Sequence, residues 1–252
     1  MNHGERNEIL IKIYLCYLKK DKVITPIFGL INNLGFANKQ YKYLDNEIDL
    51  RKLTDKQIES TADKIGIAKS PSQSKADIFI NKKGYSIKYL SAARPAIVNH
   101  TSRYGWQRIA KEIGEDIKKL DQLIVNYWNL RLSGKIAEDC GNNNLLSPFK
   151  DHKDILKPYL EYFCFTGTGS SKSKHEAVGV LKFKIFDDPS TWVLHSKSDE
   201  IDKLWDGLYF CMRGGKGMDR YNNPDYKKIM KPWTKFTSKK DRGALHVRYE
   251  SK

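Results

Sequence analysis

The chain has no apolar run approaching the roughly 20 residues of a membrane-spanning helix, and its start shows no signal-peptide pattern. Its longest apolar stretch, Ile9 to Leu18, is broken by Lys12 and reads as a buried helix of a folded domain. The four cysteines, Cys16, Cys140, Cys164 and Cys211, form no Cys-x-x-Cys pair and no Cys/His cluster. That argues against a structural zinc and points to buried or incidental thiols in a reducing cytosol. Internal repeats and low-complexity tracts are absent. Thr166-Gly-Thr-Gly-Ser-Ser-Lys-Ser-Lys174 is glycine-rich but lacks the Gly-Lys-Ser/Thr ending and following helix of a nucleotide-binding P-loop.

What the chain has is positive charge. Its formal net charge is +15 over 252 residues, which favours a polyanionic partner. With 40% apolar and 12% aromatic residues, it can bury the core of one large domain, or of a core and a lobe. From Arg213 to Lys252 there are 12 Lys/Arg against 4 Asp/Glu, a net of +8, interleaved with Tyr221, Tyr226, Trp233, Phe236 and Tyr249. Basic residues neutralise phosphates, and those that reach base edges specify sequence. Arg213, Lys216, Arg220, Arg242 and Arg248 are the candidates there. In the glycine-rich segment, Thr168, Ser170 and Lys172 could meet a DNA backbone, or form an ordinary polar hairpin loop.

Periodicity predicts a helix over residues 4–20, with Glu5, Glu8 and Lys12 on one stripe that must find water, a partner or a metal. Pro26 to Asn46 reads as loop or short helical turns. Thr54-Asp-Lys-Gln57 is a capping box that starts a helix ending at Gly66. Apolar residues from Trp106 to Trp128 recur at spacings of three and four and predict one long amphipathic helix. Leu132 to Asp154 is the best candidate for a boundary or a long surface loop. Beyond it the sequence turns β-rich: Tyr162-Phe-Cys-Phe, Ala177 to Phe186, Thr191 to His195, Leu208 to Met212 and Ala244 to Tyr249, with a helical turn at Ile201 to Trp205.

The stretch richest in chemistry is Lys75 to Tyr89. Ile78 to Ile80 is one strand, Asn81-Lys-Lys-Gly84 a turn, and Tyr85 to Leu90 a second strand. With Lys82 and Lys83 at the tip, Ile80 would pair with Tyr85, Ile78 with Ile87, and Asp77 with Lys88. Ser86 and Lys88, two apart, share one side of their strand. A carboxylate such as Asp77 can hold a hard divalent cation, and an adjacent lysine can orient or deprotonate a water. A cross-strand ion pair on a solvated hairpin is the plainer alternative.

Asp-Ile-x-Ile, a glycine turn and Tyr-Ser-Ile-Lys together resemble the core of PD-(D/E)XK nucleases. Gly84-Tyr-Ser-Ile-Lys-Tyr followed by Ser91-Ala-Ala-Arg-Pro-Ala-Ile-Val-Asn-His-Thr is similar to type II restriction endonucleases of the HpaII kind, as is the start Gly4-Glu-Arg-Asn-Glu-Ile. The resemblance covers roughly residues 4 to 115. It implies an α/β fold: a nuclease core with a mixed sheet flanked by helices, over residues 1–132. A loop at 133–154 and a β-rich basic lobe at 155–252 would follow. It also implies Mg²⁺-dependent, sequence-specific hydrolysis of double-stranded DNA in a bacterial cytoplasm. A homodimer is compatible with it, and a cognate DNA methyltransferase would be a functional partner.

On this resemblance Asp77 and the main-chain carbonyl near Ile87 hold the metal, and Lys88 acts on the water. Ser86 stands where the second carboxylate usually lies. Glu8, with Glu5 next, or Glu112 or Glu115, would have to supply that charge. Asn99, Arg103 and Gln107, with Thr101, follow the active strand and could contact DNA or serve as ordinary caps. A DNA-binding protein without catalysis and an RNA-binding or RNA-processing protein stay open beside this reading.

Overall fold

The computed structural model of the chain describes residues 1–36, 42, 48–67, 73–91, 96–213, 233 and 244–249. The elements are α1 (His3–Lys20), β1 (Ile24–Thr25), β2 (Gly29–Leu30), β3 (Leu34–Gly35), α2 (Asp55–Ile65), β4 (Ile78–Ile80) and β5 (Lys83–Tyr89). They continue with β6 (Ala96–Thr101), α3 (Arg103–Ile113), α4 (Ile117–Leu132), β7 (Cys140–Gly141), α5 (Lys153–Glu161) and β8 (Gly179–Phe183). Last come β9 (Val193–Ser196), α6 (Lys197–Leu204), β10 (Leu208–Arg213) and β11 (Ala244–Tyr249). The protein is a mixed α/β fold, and none of the described helices is long and apolar enough to cross a membrane.

Two compact units divide the chain: Met1–Ala93 with Phe165–Gly167 and Lys172–Glu200, and Arg94–Cys164 with Thr168–Ser171 and Ile201–Lys252. This grouping differs from the linear division at 132 and 154. β8 and β9 return to the first unit, whereas β6, α3 and α4 belong to the second.

The first unit is built on a five-stranded sheet in the order β3-β4-β5-β8-β9. All neighbours are antiparallel except β5 and β8, which run parallel. Because side chains alternate along a strand, one face of this sheet is apolar. Ile78, Ile80, Tyr85, Ile87, Leu181 and Phe183 bury there against Leu10, Ile11 and Leu15 of α1 and Ile58 and Ala62 of α2. α1 starts at a capping box formed by Asn2 and Glu5, and α2 at the expected box of Thr54 and Gln57, closing at Gly66 in the left-handed region.

The second unit holds the antiparallel sheet β6-β11-β10-β7 and a core of Trp106, Ile109, Ile124, Tyr127, Trp128, Tyr159 and Phe210. The single long helix expected from Trp106 to Trp128 is two helices. Gly114 sits at φ +76°, ending α3, and Asp116 caps α4 by accepting from the Lys118 amide. The apolar spacing carries through the break, which is why periodicity alone misses it. Tyr162–Thr166, expected as a strand, is a π-helical turn that follows α5. A short, continuously apolar run does not distinguish a buried strand from a buried helical turn.

Candidate active site

The β4–β5 hairpin turns one residue earlier than expected. Ile78 pairs with Tyr85, Phe79 with Gly84 and Ile80 with Lys83. Asn81 and Lys82 are therefore the central pair, at φ +49° and +68°, the conformation of a type I′ turn. Asparagine tolerates this region better than lysine does. Its side chain is also anchored: Oδ1 accepts from the amides of Asn32 and Asn33, and Nδ2 donates to the Leu30 carbonyl. Gly84 is needed where it stands, because a Cβ there would lie 2.5 Å from the Glu176 carbonyl oxygen and 2.9 Å from the Ala76 Cβ.

This register sets Asp77 across from Ser86 and not from Lys88, a correction to the expected pairing. Both carboxylate contacts fall on one oxygen. The Ile87 amide donates to Asp77 Oδ2 at 2.8 Å and the Ser86 hydroxyl at 3.2 Å. Asp77 Oδ1 has no protein partner among the described residues. Asp77 is half-buried, Ser86 buried and Lys88 exposed. A two-residue shift in pairing preserves faces, so Asp77, Ser86 and Lys88 all stand on the side of the sheet opposite the apolar core. β8 and β9 extend that polar face with Lys182 and His195.

The acids proposed to replace the missing carboxylate each have local surroundings of their own. Glu8 Oε1 lies 2.7 Å from Nζ of Lys12, whose side chain is only 1% exposed. Glu5 and Glu8 line a cleft of about 420 Å³ with Glu59 and Asp63 of α2. Glu112 and Glu115 belong to the second unit. There Glu112 pairs with Arg108 and accepts from the Tyr162 hydroxyl, and Glu115 lies 3.6 Å from Lys119. Among the described residues no three His, Cys, Asp or Glu side chains converge to hold a metal ion. Magnesium commonly takes one or two protein carboxylates and completes its shell with water and substrate phosphate. One half-exposed carboxylate with a free oxygen beside a hydroxyl fits that mode.

Several candidate DNA contacts also have partners within the fold. Arg103 donates through Nε and Nη2 to Asp121 at 2.8 and 2.7 Å and through Nη1 to Gln107. The Thr168 hydroxyl accepts from the amides of Ser170 and Ser171, while Arg108 binds the carbonyls of Thr168 and Gly169. Those two amides are thus already engaged within the loop. Lys172 pairs with Glu176 at 2.8 Å. Asn99 is exposed on β6, and Arg248 is half-buried on β11 opposite Tyr209. Arg213 ends β10. Lys216, Arg220 and Arg242 lie outside the described residues, as do Tyr221, Tyr226 and Phe236. Trp233 is a core residue, 3% exposed, with its indole N–H on Asp121 at 3.0 Å.

Sequence reasoning passed over Lys182, His195 and Glu200. Each lay inside or beside a segment correctly read as strand or helical turn. The three meet through the antiparallel β8–β9 pair and the start of α6, and their place beside Lys88 depends on a parallel pairing between distant segments, which no local spacing encodes. No protein-family model, curated protein or solved structure matches this chain.

Proposed function

We propose that the chain is a magnesium-dependent endonuclease for double-stranded DNA, of the type II restriction kind that its hairpin resembles. The observation that carries this reading is the Asp77 carboxylate. One oxygen is fixed by Ile87 and Ser86, the other has no partner among the described residues, and Lys88 stands on the same face two residues beyond Ser86. In this reading Asp77 would hold Mg²⁺, with water and substrate completing its shell. When bound, the metal neutralises charge developing on phosphorus and lowers the pKa of a coordinated water. Ser86 and the Ile87 amide keep the carboxylate in one rotamer. Lys88 is exposed and makes no ion pair among the described residues, so its ammonium is available to orient the attacking water or bind the phosphate. The charge of +15 supplies the sequence-independent attraction to DNA. A palindromic target would call for a twofold dimer, and a methyltransferase of the same specificity would protect the host.

A second reading rests on the same hydrogen bonds. An Asp that accepts from the opposite strand can be purely structural, and the protein would then bind DNA without cutting it. Incubating unmethylated plasmid with wild type and Lys88→Ala, in Mg²⁺ or in EDTA, separates the two. Discrete Mg²⁺-dependent bands from wild type alone support the nuclease. Intact plasmid across many sequences, with binding retained, supports the non-catalytic protein.

A further inference from the structure

One strand away from Lys88, the same sheet face carries a second ammonium group. In the parallel register Lys88 is opposite Lys182 and Ser86 opposite Val180, and adjacent strands lie about 5 Å apart. Unlike Lys88, the Lys182 side chain is only 15% exposed, and its Nζ lies 2.7 Å from Glu200 Oε2. The same oxygen lies 2.7 Å from Nδ1 of His195, across from Val180 on β9. Glu200 and His195 are 7% and 8% exposed. A buried ion pair seldom stabilises a fold more than apolar side chains of similar volume. Val180, two residues before Lys182 on the same face, shows that an apolar side chain is accommodated there. Stability alone therefore gives no reason for a charged cluster beside Lys88. The contact with Glu200 uses one N–H of the Lys182 ammonium and, among the described residues, leaves two.

We infer that Lys182 is a second phosphate-binding residue of this site and that Glu200, steadied by His195, is the positioning residue that holds its ammonium. The ligand class is the phosphodiester backbone of a nucleic acid. Glu200 has a second effect. Two neighbouring ammonium groups oppose each other's charge, and a carboxylate on one of them removes that conflict while the site is empty of nucleic acid. The inference rests on reading the Asp77–Lys88 face as a phosphodiester site.

The test uses the full chain carrying Lys182→Met, Lys182→Arg, Glu200→Gln or the double change Lys182→Met/Glu200→Gln. Thermal melting checks that each is folded, and the double variant leaves neither charge of the pair unpartnered if a single one melts early. Binding of a fluorescent DNA duplex in EDTA is followed across salt concentrations. Loss of one phosphate contact lowers the slope of log Kobs against log salt by about 0.9. Lys182→Met and the double variant are expected to show that drop, and Lys182→Arg to keep the wild-type slope. Glu200→Gln keeps the slope, because the ammonium remains, and loses about tenfold in kcat with little change in KM. Wild-type slope and rate in folded Lys182→Met overturn the inference, and an unchanged kcat in folded Glu200→Gln overturns the positioning role. Because the slope is read from binding alone, intact plasmid with wild type would remove the nuclease reading yet still leave Lys182 to be judged.

Discussion

The amide of Ile87 donates to the carboxylate of Asp77 at 2.8 Å, so the residue read as a metal ligand also ties β4 to β5 at the open end of their hairpin. Its two roles are separable by substitution. Asp77→Asn keeps a side-chain carbonyl that can accept from Ile87 but removes the charge. The expected outcome is a loss of Mg²⁺-dependent cleavage of about a hundredfold or more with a melting temperature within about 4 °C of wild type. Asp77→Ala strands the Ile87 amide and costs a further ~1–3 kcal/mol of stability. Plasmid cleavage and calorimetry on the two variants check both statements.

Glu8 is expected to matter more for stability than for cutting. It partners Lys12, an almost fully buried amine in the middle of α1. Glu8→Gln removes the charge of that partner and should cost ~1.5–3 kcal/mol, seen as a lower denaturant midpoint. Cleavage by the folded variant should stay within about threefold of wild type. A selective loss of cleavage with unchanged stability would instead place Glu8 at the metal.

Gly84→Ala inserts a methyl group against the Glu176 carbonyl oxygen and the Ala76 Cβ, at 2.5 and 2.9 Å. Both neighbours are backbone or short and cannot swing aside. Overpacking of this kind costs ~1–3 kcal/mol, and urea titration should show it. Because Gly84 precedes Ser86 and Lys88 on β5, cleavage should fall along with stability.

Burial pushes the Cys16 thiol from 9.0 up to about 12. The thiolate is the reactive form, so Cys16 should resist alkylation in the native state at neutral pH. Cys164, the one half-buried cysteine, should react first. The folded value lies above the unfolded one, so the contribution of Cys16 to stability is complete below pH 9 and declines as pH rises toward 12. Cys16→Ala should flatten the alkaline limb of a stability–pH curve.

The parts legible in the sequence were those set by local rules. The capping box at Thr54, the glycine that ends α2 and the strand from Ala244 to Tyr249 follow from neighbouring residues. The shared face of Ser86 and Lys88 follows from strand geometry alone. The hairpin register was missed by one residue at its tip, because the lysine pair hid the stronger preference of Asn81 for the left-handed region. The helix break at Gly114 was hidden by apolar spacing that persists across it. The placing of the Lys182–Glu200–His195 cluster beside Lys88 was beyond local reading, since it needs β8 to pair in parallel with β5.

β5 acquires its second neighbour only when β8 has been made, and nearly the whole of the second unit's helical sequence lies between Tyr89 and Gly179. At ordinary rates of translation, about 5–20 residues per second, the growing chain therefore spends several seconds with β5 as an open edge. Such an edge presents a row of unpaired N–H and C=O groups to any other nascent copy. Premature termination or proteolysis within that interval leaves a fragment prone to self-association, and the cell gains nothing from half of the protein.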